Sequence, residues 1–183
     1  MKPTTTTTTR RHRQGASLVE MAIAVAVASI SIGSAVPPLQ ALIQRHQIEG
    51  TTAQLRTDLR WMRSLAIARN QSLRISFTKL PQAACYVIHT GAAKDCPCDA
   101  EGEPVCQNGA EALRSVAFPA GGAVTVSSNS ASMLVDAGHG TFTPTGSVKV
   151  RGRNGRELKL IVNILGRARV CAQGAGLPGH PNC

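Results

Sequence analysis

Aromatic side chains are scarce in this chain: one Trp, one Tyr and three Phe among 183 residues. So few rings leave no platform on which successive bases could stack, which excludes a base-stacking oligonucleotide module. The five histidines, at positions 12, 46, 89, 139 and 180, keep neither metal-ligand nor triad spacing. No phosphate-cradling loop or nucleophile motif is present either, so no enzyme, cofactor, metal or small-molecule substrate is expected. Acidic residues are few, ten against twenty Lys and Arg, giving a formal charge of +10. The N-terminus lacks an apolar stretch ahead of a small-residue cleavage site, which excludes a conventional cleaved secretory signal.

What stands there instead is a Thr-rich basic segment, residues 1–15, carrying Lys2, Arg10, Arg11 and Arg13. The apolar stretch comes after Gly15. Ala16–Leu39 holds Glu20 as its only charge and matches the ~20 residues that a helix needs to span a bilayer. Its basic flank is expected to stay cytoplasmic. Frequent Ala, Ser and Gly make the segment mildly hydrophobic and allow close helix packing, as a subunit that must leave the bilayer requires. Glu20 is costly at the edge of such a helix and asks for a cationic partner. Pro37 and Pro38 each remove a backbone donor, so a kink is expected at Pro37. The plainer alternative is an uncleaved signal anchor whose Glu20 reaches the interface.

Downstream, Leu55, Leu59, Met62 and Ala66 fall at i, i+4, i+7 and i+11, one apolar stripe of a helix running from Leu39 to about Asn70. Arg56, Arg60, Arg63 and Arg69 lie off that stripe, as a solvated face would. Beyond Asn70 the helical period stops. Short β-rich runs separated by Gly, Pro, Ser and Asn predict strands at Leu73–Thr78, Cys85–His89, Leu113–Phe118, Ala123–Val126, Ser132–Val135, Gly140–Thr143, Ser147–Val150, Leu158–Asn163 and Arg167–Cys171. The fold class expected is α+β: a long N-terminal helix, half membrane and half amphipathic, packed on a small antiparallel β-sheet domain like a lollipop. The divisions are 1–15, a leader; 16–38, a transmembrane helix; 39–71, its amphipathic continuation; and 72–183, the β-rich domain with a Cys-rich loop at 91–109.

Cys85, Cys96, Cys98, Cys106, Cys171 and Cys183 form an even set lying wholly downstream of the membrane segment, which points to disulfides in an oxidising compartment. Connectivity stays open among them, although a Cys171–Cys183 link would tie down the Gly/Pro-rich tail between. A zinc site at Cys96-Pro97-Cys98 with Cys106 is the rival, against which the C-x-C spacing speaks.

Several motifs carry a resemblance. Gly15-Ala16-Ser17-Leu18-Val19-Glu20 ahead of an apolar helix resembles the processing site of type IV prepilins and type II secretion pseudopilins, and Ala35-Val36-Pro37 resembles the kink of their anchors. Leu59–Asn70, Gly140-Thr141-Phe142-Thr143-Pro144-Thr145-Gly146 and Gly166-Arg167-Ala168-Arg169 resemble segments of the FimT/GspH branch, FimT-like minor pilins in particular. Three positions depart from the usual pattern: Ala16 where Phe or Met is usual, Met62 for a small residue and Leu65 for Glu. The resemblance implies that prepilin peptidase cuts after Gly15 and methylates Ala16, and that Glu20 pairs with the amine of a neighbouring subunit. It implies an inner-membrane protein with its body in the periplasm, later part of a pilus or pseudopilus, whose partners are major and minor pilins or pseudopilins. It also implies DNA contacts, for uptake in natural transformation, at Arg167 and Arg169.

Charge placement supports a duplex DNA partner. Residues 140–183 hold seven basic residues against Glu157. Alternate residues of a strand share a face, so Arg167 and Arg169 can bridge phosphates, and Lys149, Arg151, Arg153, Arg156 and Lys159 on the preceding hairpin can extend the patch. Subunit packing or plain solubility is the other use for these arginines. A GspH-like pseudopilin of a type II secretion system, with protein contacts only, is the alternative function.

Overall fold

The structure, a computed structural model, describes residues 17–174 and 177–183, and of residues 32–38 the backbone alone. Gly15 and Ala16, where cleavage and methylation are expected, lie outside the described residues. Two compact units are present, divided after Gln40, and one helix, α1 (Leu18–Arg69), contributes to both.

In the first unit, Ser17 stands at the N-cap: its hydroxyl accepts a hydrogen bond from the Val19 amide at 3.3 Å, and its carbonyl accepts the first helical bond, from the Met21 amide. Glu20 therefore lies in the first turn, where the positive end of the helix favours a carboxylate. Ser17-x-x-Glu20 is also the spacing of a capping box. Leu18, Val19, Met21, Ile23, Val25, Val27 and Ile30 are all exposed. The serines among them avoid presenting bare hydroxyls, since Ser29 donates to the Val25 carbonyl and Ser31 to that of Val27. The helix runs through Pro37 and Pro38 without a break. Among the described residues no helical stretch is long and apolar enough to cross a membrane.

In the second unit α1 buries Ile48, Thr52, Leu55, Leu59, Met62 and Ala66. The steps of four and three residues extend the predicted stripe back by two turns. Thr52 is harmless on that face because its hydroxyl donates to the Ile48 carbonyl. Asn70 ends the helix with φ 48°, and the Gln71 amide closes back on the Ala66 carbonyl at 3.0 Å, a left-handed C-terminal cap.

Nine strands follow: β1 (Leu73–Lys79), β2 (Ala83–His89), β3 (Ala112–Pro119), β4 (Val124–Ser128), β5 (Ser132–Val135), β6 (Phe142–Thr143), β7 (Gly146–Gly152), β8 (Glu157–Val162) and β9 (Ala168–Gln173). They form two antiparallel sheets, in the orders β3-β2-β1-β5-β6 and β4-β7-β8-β9, so the expected antiparallel β-domain is present. Strict alternation decides the second sheet: Val148, Val150, Leu158, Leu160 and Val162 are buried and their neighbours point outward. One hydrophobic core joins the helix stripe to both sheets, with Phe142, Ile75 and Met133 among its largest members.

Disulfides join Cys85–Cys98, Cys96–Cys106 and Cys171–Cys183. The first staples the acidic insert to β2, the second closes the insert on itself, and the third holds the tail to β9. All the thiols of the rival zinc reading are thereby consumed.

Two buried polar groups set the response to pH. His89 is buried between β1 and the insert; its Nδ1 accepts from the Gly91 amide at 3.1 Å, so Nε2 carries the proton and donates to the Ser76 hydroxyl at 2.8 Å. Burial, then repulsion from Arg74, holds this imidazole below its ordinary 6.5, against a weaker pull from Asp95. Tyr86 is pushed well above its ordinary 10.0 by burial, then by the hydrogen bond and charge of Asp58, with Arg114 opposing. Below about pH 6.5 the unfolded chain takes up a proton that folded His89 refuses, so stability falls with acid. Above about pH 10 the unfolded chain ionises a phenol that the fold keeps neutral, so stability falls with alkali. The thermal midpoint should therefore be level between these limits and decline on both sides. Tyr86→Phe should flatten only the alkaline arm; an unchanged alkaline decline in that variant would refute the assignment.

Candidate functional site

The site is built around β9 and the turn before it. Gly166 takes φ 72°, a region closed to most side chains. Its amide donates to the Asn163 carbonyl at 2.9 Å, and the Arg167 amide donates to the Asn163 side chain at 2.8 Å. A Cβ at 166 would meet the Phe142 ring at 2.8 Å and the Arg63 stem at 3.2 Å. A Cβ at Gly140, in the other glycine-bearing motif, would meet the same Arg63 and Ile67, each at 2.8 Å. Both motifs thus seat the strand ends against α1.

That seating brings β9 alongside the helix. Arg167 and Arg169 are exposed and line a groove of about 590 Å³ together with Arg56, Arg60 and Arg63 of α1. Among the described residues none of these five arginines is in an ion pair. The buried Nε atoms of Arg56 and Arg63 have no hydrogen-bond partner among those residues. Five guanidinium groups around one open groove make a site for phosphate or carboxylate oxygens, to which the planar fork of arginine is matched.

From the sequence alone the helix arginines read as a solvated flank. Their spacing at i, i+4 and i+7 signals that they share a face, but which face meets β9 depends on packing. The hairpin residues fare differently. Lys149, Arg151 and Lys159 stand on the outer face of the second sheet, and Lys149 pairs with Glu157 at 3.5 Å. Arg153 donates to the carbonyls of Gly121 and Gly122. Arg156 is half-buried at the hairpin turn. Glu157 pairs with Gln173 and Val162 with Ala168, so Arg153 and Arg156 lie at the far end of β8 from Arg167, roughly 17–20 Å along the strands. The structure does not gather them into the groove.

A helix whose exposed apolar first part leads into an amphipathic second part, packed on antiparallel sheets, defines the pilin-like class. The chain belongs to the GspH family: the family model for type II transport protein GspH matches residues 51–166, and the chain is a GspH/FimT-like minor pilin or pseudopilin. Among solved structures it is similar to the type IV minor pilin FimU of Pseudomonas aeruginosa (strain PAO1), at 16% identity and a TM-score of 0.47, over 76% of this chain and 98% of that one. It is also similar to EpsH, the minor pseudopilin of the Vibrio cholerae type 2 secretion system, at 9% identity and a TM-score of 0.45, over 69% of this chain and 97% of that one. No curated protein sequence matches it significantly.

Proposed function

We propose that this chain is a minor pilin of a type IV pilus, which supports pilus assembly and holds duplex DNA non-specifically for uptake in natural transformation. The observation that carries the DNA reading is the groove in which Arg167 and Arg169 face Arg56, Arg60 and Arg63, with no carboxylate among the described residues paired to any of them. Phosphate contacts of this kind fix position on a duplex and carry no sequence information.

In this reading residues 1–15 are a leader that prepilin peptidase removes between Gly15 and Ala16, with methylation of Ala16. Residues 16–38 hold the subunit in the inner membrane and later in the filament, kinked at Pro37; the body stands in the periplasm and then in the pilus. Glu20 offsets the amine of a neighbouring subunit, each charge relieving the other's desolvation.

DNA binding is tested on the full chain in detergent micelles with a short duplex of mixed sequence. Binding should be measurable at ~50 mM salt, and Arg167→Ala with Arg169→Ala should flatten the slope of log K against log salt by about 0.9 for each phosphate no longer neutralised. No binding at that salt sinks the DNA reading. The family match to a type II transport protein favours the second reading, a pseudopilin with protein contacts only, and a chain that enters filaments without retaining DNA would be that outcome.

A further inference from the structure

The backbone of β9 carries a feature that phosphate binding does not use. The Asn163 amide donates to the Arg167 carbonyl, so Arg167 directs its main chain toward β8. In an antiparallel ladder this direction alternates. Arg169 and Cys171, opposite Ile161 and Lys159, therefore also face β8, while Ala168, Val170 and Ala172 direct their N–H and C=O groups to the free edge. Ala172 confirms the alternation: its amide donates to the Pro181 carbonyl at 2.8 Å and its carbonyl accepts from the Cys183 amide at 3.0 Å, a parallel bridge to Asn182. The tail, held by Cys171–Cys183, has thus already taken the far part of this edge as an added strand would. Among the described residues, no main-chain partner is present for the outward groups of Ala168 and Val170.

Beside those groups runs a groove of about 770 Å³ between α1 and β9. Ala53 and Thr57 on the helix and Ala168 and Val170 on the strand line it, and small side chains leave room next to the backbone. Its charge is one-sided. Arg56, Arg60 and Arg169 line it, and its one acidic side chain, Glu49, is engaged by Arg45 at 2.8 Å and by His180 at 3.5 Å. An unpaired strand edge is a template for another chain. The main chain supplies affinity in such strand addition and alternate side chains supply selectivity.

We infer that the free edge of β9 at Ala168–Val170 accepts an extended, carboxylate-bearing segment of a partner subunit as an added strand. The main chain of the segment pairs with Ala168 and Val170, and its acidic side chains meet Arg56, Arg60 and Arg169. The acidic insert of a second copy does not fit this role, because Cys85–Cys98 and Cys96–Cys106 hold it as a closed loop.

The test uses the full chain in detergent micelles and a synthetic decapeptide of alternating Glu and Val, beside the same peptide N-methylated at every second amide. Methylation blocks strand pairing and leaves the charge intact. The unmodified peptide should bind at least tenfold more tightly and should slow hydrogen exchange at the Ala168 and Val170 amides at least tenfold. Equal affinity of the two peptides, absence of binding, or unchanged exchange at both amides overturns the inference. Val170→Pro removes one outward donor at an edge position where proline is tolerated; it should weaken the peptide at least tenfold and leave DNA binding unaltered. Arg167 lines the DNA groove and not the strand-addition groove, so Arg167→Ala should flatten the salt slope of DNA binding and leave peptide affinity unchanged, which separates this inference from the DNA reading.

Discussion

Asp58→Ala should cost the 41–183 unit about 3 kcal/mol, the sum of a missing charge-assisted hydrogen bond and an orphaned buried hydroxyl. Asp58 lies on α1 and is buried. Tyr86 of β2 donates its hydroxyl to this carboxylate at 2.6 Å, and the Arg114 side chain of β3 pairs with the same oxygen at 3.0 Å. One carboxylate thus ties the helix to two strands. Removing it leaves the Tyr86 hydroxyl among apolar side chains, while half-exposed Arg114 can turn to water. Asp58→Asn keeps an acceptor for Tyr86 and should cost less. In a Tyr86→Phe background Asp58→Ala should cost at least about 1 kcal/mol less than in the native chain, since no hydroxyl is then orphaned. Denaturant melts of the four proteins give this coupling directly; additive costs would mean that Tyr86 and Asp58 do not act together.

Glu20→Ala should abolish incorporation into filaments while leaving membrane insertion intact. The carboxylate sits in the first turn of α1, flanked by exposed Leu18, Val19, Met21 and Ile23. Once those side chains pack in an apolar surround, an amine without a counter-charge is left with several kcal/mol of uncompensated desolvation. Insertion needs only the apolar helix, and removing a carboxylate does not oppose it. Membrane fractionation and immunoblots of sheared filaments separate the two effects. Normal filament content in the variant would count against charge pairing and leave Glu20 a helix-capping residue beside Ser17.

Much of the fold is legible in the sequence because it is local. The stripe of Leu55, Leu59, Met62 and Ala66 and the alternation in β7 and β8 both report burial through side-chain period alone. The expected strand at Gly140–Thr143 shrinks to Phe142–Thr143 because Gly140 turns at φ 63° and its amide closes on the Asp136 carbonyl. The division into two sheets is not legible: β1 pairs with β5, placing Leu73 opposite Val135, and nothing nearby in sequence announces such a partner. Disulfide connectivity is hidden for the same reason. At the groove, Arg167 and Arg169 can be singled out from their own motif. Arg56, Arg60 and Arg63 cannot, because their meeting with β9 depends on how helix and sheet pack. Arg153 and Arg156 look close along the chain, yet the run of β8 carries them away.

The crowding around Gly166 makes this protein its own control. A side chain there must displace an aromatic ring of the core and the stem of Arg63 at once, so a variant such as Gly166→Val would disturb fold and groove together. Arg167 and Arg169 project from the same few residues and support nothing in the interior. Two neighbouring positions therefore sort any observed defect by origin: one disturbs the architecture, and the other removes charge from an architecture left standing.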